Sequence, residues 1–254
     1  MPREFYTIAL VNYLNARPFL HGLHHGREEG SFTFDIRLLN PAECARSFMK
    51  GEADIALVPA GSLHHMTDYK RVTGFGIAAE DEVRTVCLFS NDEPSAWKEI
   101  ILDDHSMTSV LLTRLIISNF FNINPVYKTG KVDSVNPGQG QAVLMIGDKV
   151  FNRENDFLVR LDLAAEWKKW TKLPFVFAVW VAKPHVPEAV LADLEKMLSF
   201  GVNHIEAVIP ENTGNTSLLK EYYQKYIRYN LEPDYLQGLE KYLELSRTLV
   251  IGQE

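Results

Sequence analysis

The strongest constraint on how this chain folds is a recurring pattern. A short, unbroken apolar run ends in small or polar residues, and a helical stretch follows. Thr7-Ile8-Ala9-Leu10-Val11 leads into Asn12-Tyr13-Leu14-Asn15, and Asp54-Ile55-Ala56-Leu57-Val58-Pro59 leads into Ala60-Gly61-Ser62. Glu99-Ile100-Ile101-Leu102 leads into Asp103-Asp104-His105-Ser106, and Ala142-Val143-Leu144-Met145-Ile146 into Gly147-Asp148. A strand that is apolar at consecutive positions needs cover on both faces, as in parallel sheets. Alternation of such strands with helices predicts an α/β fold. Ligands in these folds bind beyond the carboxyl ends of the strands, so the polar residues after each run are the first site candidates.

Two runs differ, Val83-Arg84-Thr85-Val86-Cys87-Leu88-Phe89-Ser90 and Leu173-Pro174-Phe175-Val176-Phe177-Ala178-Val179-Trp180-Val181-Ala182. They bracket a block with its own strands and helix. The chain has 254 residues. Single cores stop growing at about 250–300 residues, so two lobes are a natural solution. The expected layout is a discontinuous lobe of 1–90 plus 179–254 and an inserted lobe of 91–178. Two crossing strands would join them, with a ligand cleft between.

Helix signals add detail. Asn40-Pro41-Ala42-Glu43 reads as an N-cap, a proline at the first helical position and an acid closing a capping box. That helix is predicted to reach Lys50 and stop at Gly51. Further helices are predicted over 108–121, over 187–201 with Gly201 just past the end, and over 217–229 and 233–247.

The 26 Lys and Arg against 33 Asp and Glu give a net charge of −7. That balance argues against nucleic-acid binding, which needs many cations on phosphates. An anionic ligand would have to be captured by local groups. The start lacks the basic and apolar regions of a secretory signal, and no apolar stretch approaches the about 18–20 residues of a membrane span. A cytoplasmic protein without membrane contact is expected. Cys44 and Cys87 read as buried, reduced thiols.

Several residue groups could carry chemistry. Ser106-Met107-Thr108-Ser109 sits at a strand-to-helix junction, where hydroxyls and free N–H groups suit an anion; simple capping by Ser106 or Thr108 is the competing explanation. Asn15 could orient a ligand and Arg17 could clamp a carboxylate, or Asn15 could cap a helix with Arg17 in solvent. Asp148 either touches ligand or caps the next helix, and Trp180 either lines the cleft or packs in a core. Asp104-His105-Ser106 has the letters of a catalytic triad, but adjacent residues cannot form that relay. Gly138-Gln139-Gly140 precedes a strand and reads as a turn, not a dinucleotide fingerprint. His21, His24 and His25, and the pair His64-His65, read as solvated faces, so no metal site is expected. Tyr222, Tyr223, Tyr226 and Tyr229 read as packing residues.

In order along the chain, Val11-Asn12-Tyr13-Leu14-Asn15-Ala16-Arg17-Pro18, the 51–59 segment, the 83–90 segment, Ser106–Ser109, Ile146-Gly147-Asp148 and the 167–180 segment resemble the menaquinone enzymes of the futalosine route, the MqnA/MqnD family. The likeness is greatest to its chorismate-dehydrating branch. The resemblance implies a type II periplasmic-binding-protein fold. It also implies a lyase converting chorismate to 3-[(1-carboxyvinyl)oxy]benzoate. By that analogy Asn15 and Thr85 act at the reaction centre, with Arg17, Ser106, Thr108, Ser109, Asp148 and Trp180 holding a dicarboxylate. Metal and redox cofactors are not required. Met107 stands where the family's Ser-Arg-Thr-Ser run has arginine, Ala60 where Ser is common, and Thr85 where Ser is common. The sibling 1,4-dihydroxy-6-naphthoate synthase would carry Ile-His-Glu near Ile146-Gly147-Asp148. A non-catalytic solute-binding protein is the alternative from another class.

Overall fold

A computed structural model describes residues 5–28, 32–103, 106–132, 134–212 and 215–251. The chain opens with β1 (Phe5–Val11), α1 (Arg17–His25), β2 (Thr33–Leu39), α2 (Pro41–Met49), β3 (Ile55–Pro59) and β4 (Lys70–Ala79). It continues through β5 (Val86–Ser90), β6 (Glu99–Asp103), α3 (Met107–Leu115), β7 (Val126–Gly130), β8 (Gln141–Ile146), β9 (Val159–Asp162) and α4 (Leu163–Thr171). β10 (Phe175–Ala182), α5 (Glu188–Asn203), α6 (Ile205–Val208), α7 (Thr216–Glu221), β11 (Arg228–Asn230) and α8 (Pro233–Ile251) complete it.

These elements form two compact units, Met1–Ala78 with Ala178–Glu232, and Ala79–Phe177 with Pro233–Glu254. The boundaries differ from those expected. Residues 79–90 belong to the second unit because β5 pairs with β8 and β9. The C-terminal helix α8 belongs there too, because its Tyr242 hydroxyl donates to the Thr108 carbonyl at 3.1 Å and its ring meets Phe175 at 5.1 Å. The chain therefore passes between the units three times, not two.

The first unit is a mixed sheet in the order β11-β4-β10-β3-β1-β2. β1 runs parallel to β2 and β3, and β10 runs antiparallel to β3. All five residues of β3 are buried, as its continuous apolar run requires. Phe19 of α1 anchors the packing, edge-on to Trp180 at 5.7 Å and to Tyr229 at 5.2 Å. α1 meets α5 at two glycines: a Cβ on Gly22 would lie 2.0 Å from the Met197 carbonyl oxygen, and one on Gly201 1.8 Å from that of Pro18. Gly201 thus lies inside α5 instead of ending it, because the close crossing needs a missing side chain there.

The second unit is also a mixed sheet, in the order β7-β6-β8-β5-β9. β6 runs parallel to β7 and β8, while β5 runs antiparallel to β8 and β9. Cys87, Phe89, Val132, Val143, Met145 and Val150 form a buried cluster. α3 continues into a π-helical turn over Ile116–Phe120. The helix predicted over 217–229 breaks up in the same way: α7 passes into a π-turn at Tyr222–Tyr226, and Arg228–Asn230 becomes a strand pairing with β4.

Local expectations hold at α2. The Asn40 side chain accepts from the Glu43 N–H, the Glu43 side chain accepts from the Asn40 N–H, and Gly51 follows with φ +74°. Cys44 and Cys87 are buried and free. Burial pushes the Cys44 thiol up to about 12 and raises that of Cys87 well above its usual value, so neither is a ready nucleophile. Gly138–Gly140 is a turn, with the Gln141 N–H donating to the Gly138 carbonyl at 3.0 Å. Among the described residues no helix is long and apolar enough to cross a membrane.

Candidate functional site

In the first unit, the carboxyl ends of β1 and β3 deliver Asn12–Arg17 and Ala60–Ser62 to one edge of the sheet. Asn15 lies in a 3₁₀ turn over Leu14–Ala16 and is half-buried. It caps neither that turn nor α1, whose N-cap positions are Tyr13 and Ala16 without side-chain bonds. The capping explanation for Asn15 is therefore removed. Arg17 opens α1 with its Nη2 donating to Asn12 Oδ1 at 2.9 Å. Its Nε is buried without a hydrogen-bond partner. Such an orphaned donor is costly unless something fills it, and a carboxylate is the natural acceptor for a guanidinium. Trp180 does not lie at this edge. It pairs with Leu57 in mid-sheet, is 0% exposed and packs on Phe19. The expectation that it lines a ligand site gives way to a core role, because β10 is an interior strand of its sheet. Its indole Nε1 is left without a hydrogen-bond partner.

In the second unit, parallel β6 and β8 end beside the start of antiparallel β5, with Val86 opposite Ile146. This edge gathers Thr85, Asp103, Ser106–Ser109, Asp148 and Lys149. Ser106 caps α3: its Oγ accepts from the Ser109 N–H at 3.2 Å and donates to Ser109 Oγ at 2.8 Å. Thr108 Oγ1 donates weakly to the Phe177 carbonyl at 3.4 Å. All three hydroxyls are buried. Ser106 thus meets the capping reading, and an anion at this helix would be held chiefly by N–H groups and the helix dipole. Asp148 opens a 3₁₀ turn after Gly147, whose φ is +76°, and does not cap it. Thr85 is 1% exposed; its hydroxyl lies 3.5 Å from the Val83 carbonyl, a weak geometry, and its own carbonyl accepts from the Gly147 N–H at 2.8 Å. Asp104 and His105 lie outside the described residues.

A carboxylate fixes the turn that carries Thr85. Asp162 accepts from the N–H groups of Val83, Arg84, Ala164 and Ala165, at 2.7 Å from Arg84. Arg84 sits at φ +66°, and its Nη2 donates to both carboxylate oxygens of Glu154 at 2.7 and 2.9 Å. Burial pushes the Asp162 carboxyl up to about 6, against the N–H donors and Arg160 that pull it down. Sequence reading missed Lys149, Glu154 and Asp162. Lys149 donates to the buried Asp103 at 2.7 Å. Its position directly after Asp148 was the available signal; the pairings of Glu154 and Asp162 depend on tertiary contacts that no local pattern announces.

The histidines also differ from expectation. His21 is 7% exposed, with its Nδ1 2.9 Å from Glu211 Oε1. That face of α1 is not simply solvated, because α6 and the following turn bring Glu211 over it.

The model of a menaquinone biosynthesis family matches residues 6–248. The chain belongs to this family. A relative from Thermus thermophilus named chorismate dehydratase is 28% identical, with the alignment covering 94% of each chain. Among solved structures, a protein from Archaeoglobus fulgidus superposes with a TM-score of 0.79 at 14% identity, over 99% of this chain and 100% of that one. A Candida albicans protein described as having the generic periplasmic binding protein fold gives 0.69 at 9% identity, covering 96% and 90%. The alkanesulfonate-binding protein SsuA of Xanthomonas axonopodis pv. citri, bound to MOPS, gives 0.65 at 12%, covering 98% and 95%. This menaquinone biosynthesis family member therefore has the periplasmic-binding-protein fold, as its sequence implied.

Proposed function

We propose that this family member is a chorismate dehydratase, a lyase that converts chorismate to 3-[(1-carboxyvinyl)oxy]benzoate in menaquinone biosynthesis. The observation that carries this reading is the near full-length likeness to the Thermus thermophilus chorismate dehydratase within a menaquinone biosynthesis family. Chorismate is a dianion, and the chain carries −7 overall. Capture then depends on local groups, and both sheet edges supply them.

In this proposal the substrate lies in the interlobe cleft. Arg17 holds one carboxylate through its unpartnered Nε. The N-terminus of α3, at Ser106–Ser109, holds the other with Asp148 nearby. Asn15 and Thr85 orient the ring and its leaving hydroxyl. Water is lost as a ring proton and hydroxide, and the ring C–H electrons complete an aromatic system. The product's aromaticity drives the reaction, so positioning supplies most of the catalysis. A substrate carboxylate serves as the base. The proposed setting is the cytoplasm, without nucleic acid or membrane.

Incubation of the pure protein with chorismate should release the enolpyruvyl-benzoate, followed by its absorbance and mass. Asn15→Ala should fold as the parent does and lose most turnover. Full turnover in that variant would remove Asn15 from the mechanism. The cyclic futalosine-route precursor of dihydroxynaphthoate serves as the parallel substrate. Product from that compound alone would identify the sibling enzyme; product from neither would mark a binding protein.

A further inference from the structure

We infer that His21, His25 and Glu211 form a binding site for a zinc-class divalent transition metal. None of the three is among the sheet-edge residues of the proposed reaction. His21 and His25 are one turn apart on α1, so both rings project from the same face. Their centroids are 4.6 Å apart. Glu211 arrives from a segment 190 residues away and places Oε1 2.9 Å from His21 Nδ1 and 3.7 Å from His25 Nε2. One ligand atom from each residue lies within 4.8 Å of the other two.

Zinc bonds of about 2.0–2.2 Å to nitrogen and oxygen put tetrahedral ligands about 3.3–3.5 Å apart. The two contacts to Glu211 straddle that value and the third edge, between the histidines, lies within 4.8 Å, so side-chain rotations that bring the two imidazoles nearer would admit an ion. Two neutral imidazoles and one carboxylate are a standard zinc donor set, and they leave a fourth position for water. The environment suits this geometry. The His21 side chain is 8% exposed and stacks on Phe200, whereas those of His25 and Glu211 are 55% and 46% exposed. The site has a protein floor and a mouth open to solvent. A bound ion would tie the end of α1 to the turn at Ile209–Glu211.

The rival explanation is a plain His21–Glu211 hydrogen bond, with His25 a bystander. Zinc titration of the untagged full chain by calorimetry, with the unfolding midpoint measured in parallel, separates the two. The expected result is one ion per chain and a midpoint that rises with zinc concentration. His25→Gln keeps the His21–Glu211 bond but should weaken binding at least tenfold. Glu211→Gln should do the same, and His24→Gln should leave binding unchanged. Cobalt titrated in place of zinc should give intense tetrahedral visible bands that His25→Gln abolishes. Absence of binding, or equal binding by the parent and His25→Gln, would overturn the assignment and leave an adventitious surface ion only.

Discussion

Two side chains show how single residues prepare this protein for its proposed substrate. Asp162 ties the turn before β5 to the start of α4 through four backbone N–H groups, and burial raises its carboxyl to about 6. Between the ordinary value of 3.8 and about 6, the folded chain binds a proton there that the unfolded chain has released. The contribution of this group to stability therefore falls as pH rises through that window, by about 3 kcal/mol in total at 1.36 kcal/mol per unit. A carboxyl signal of Asp162 titrating near 6, with the Val83 and Arg84 amides moving in step, is the expected NMR result. Asp162→Asn should flatten the dependence of stability on pH over the same range. Arg17 makes the second case. Charge-assisted bonds contribute about 1.5–3 kcal/mol, so Arg17→Met should raise the KM for chorismate by at least tenfold and scarcely move the unfolding midpoint. Arg17 and Asn15 could be proposed from sequence because they follow an apolar run directly. Asp162 was not: its acceptor role depends on Val83 and Arg84, about 80 positions away in sequence.

At the scale of elements, the α1–α5 contact sets the tightest tolerance. Gly22 and Gly201 let backbone approach backbone, and the atom a new Cβ would strike is a carbonyl oxygen in each case. Carbonyls inside a helix cannot swing away as a long side chain can. Gly201→Ala should thus cost about 1–3 kcal/mol or more, read as a lowered denaturation midpoint, and Gly22→Ala should behave alike. The sequence reading mistook Gly201 for a helix end, since a terminal glycine and a crossing glycine look the same in one dimension. It found the strands with continuous apolar runs, β1, β3, β6, β8 and β10. It passed over β2 and β4, where the charged Asp35 and Arg37, and then Gly74 and Gly76, interrupt the pattern. Two π-turns were equally invisible, because no residue type marks where a helical turn takes in an extra residue.

For the whole molecule, the class of fold and the existence of two units were readable, and the ownership of α8 was not. A terminal amphipathic helix announces that it packs, not on what. Tyr242 decides the matter by reaching Thr108, and Gly238 by lying against the Pro174 carbonyl, where a Cβ would be 2.1 Å from the oxygen. A chain stopped after Glu232 should therefore uncover Trp167 and Phe175, bind a hydrophobic dye and lose near-ultraviolet dichroism. Tyr242→Phe should cost less, about 0.5–1.5 kcal/mol, from the one lost hydrogen bond to the Thr108 carbonyl. The three passages between units also govern how the protein emerges from a ribosome. β10 is an interior strand of the first sheet, and α8 completes the second core, so neither unit can close while the middle of the chain is being translated. The nascent N-terminal strands must wait, with β3 paired to β1 but still lacking β10, until Ala182 has been translated. Chaperone demand during synthesis follows from that order of assembly.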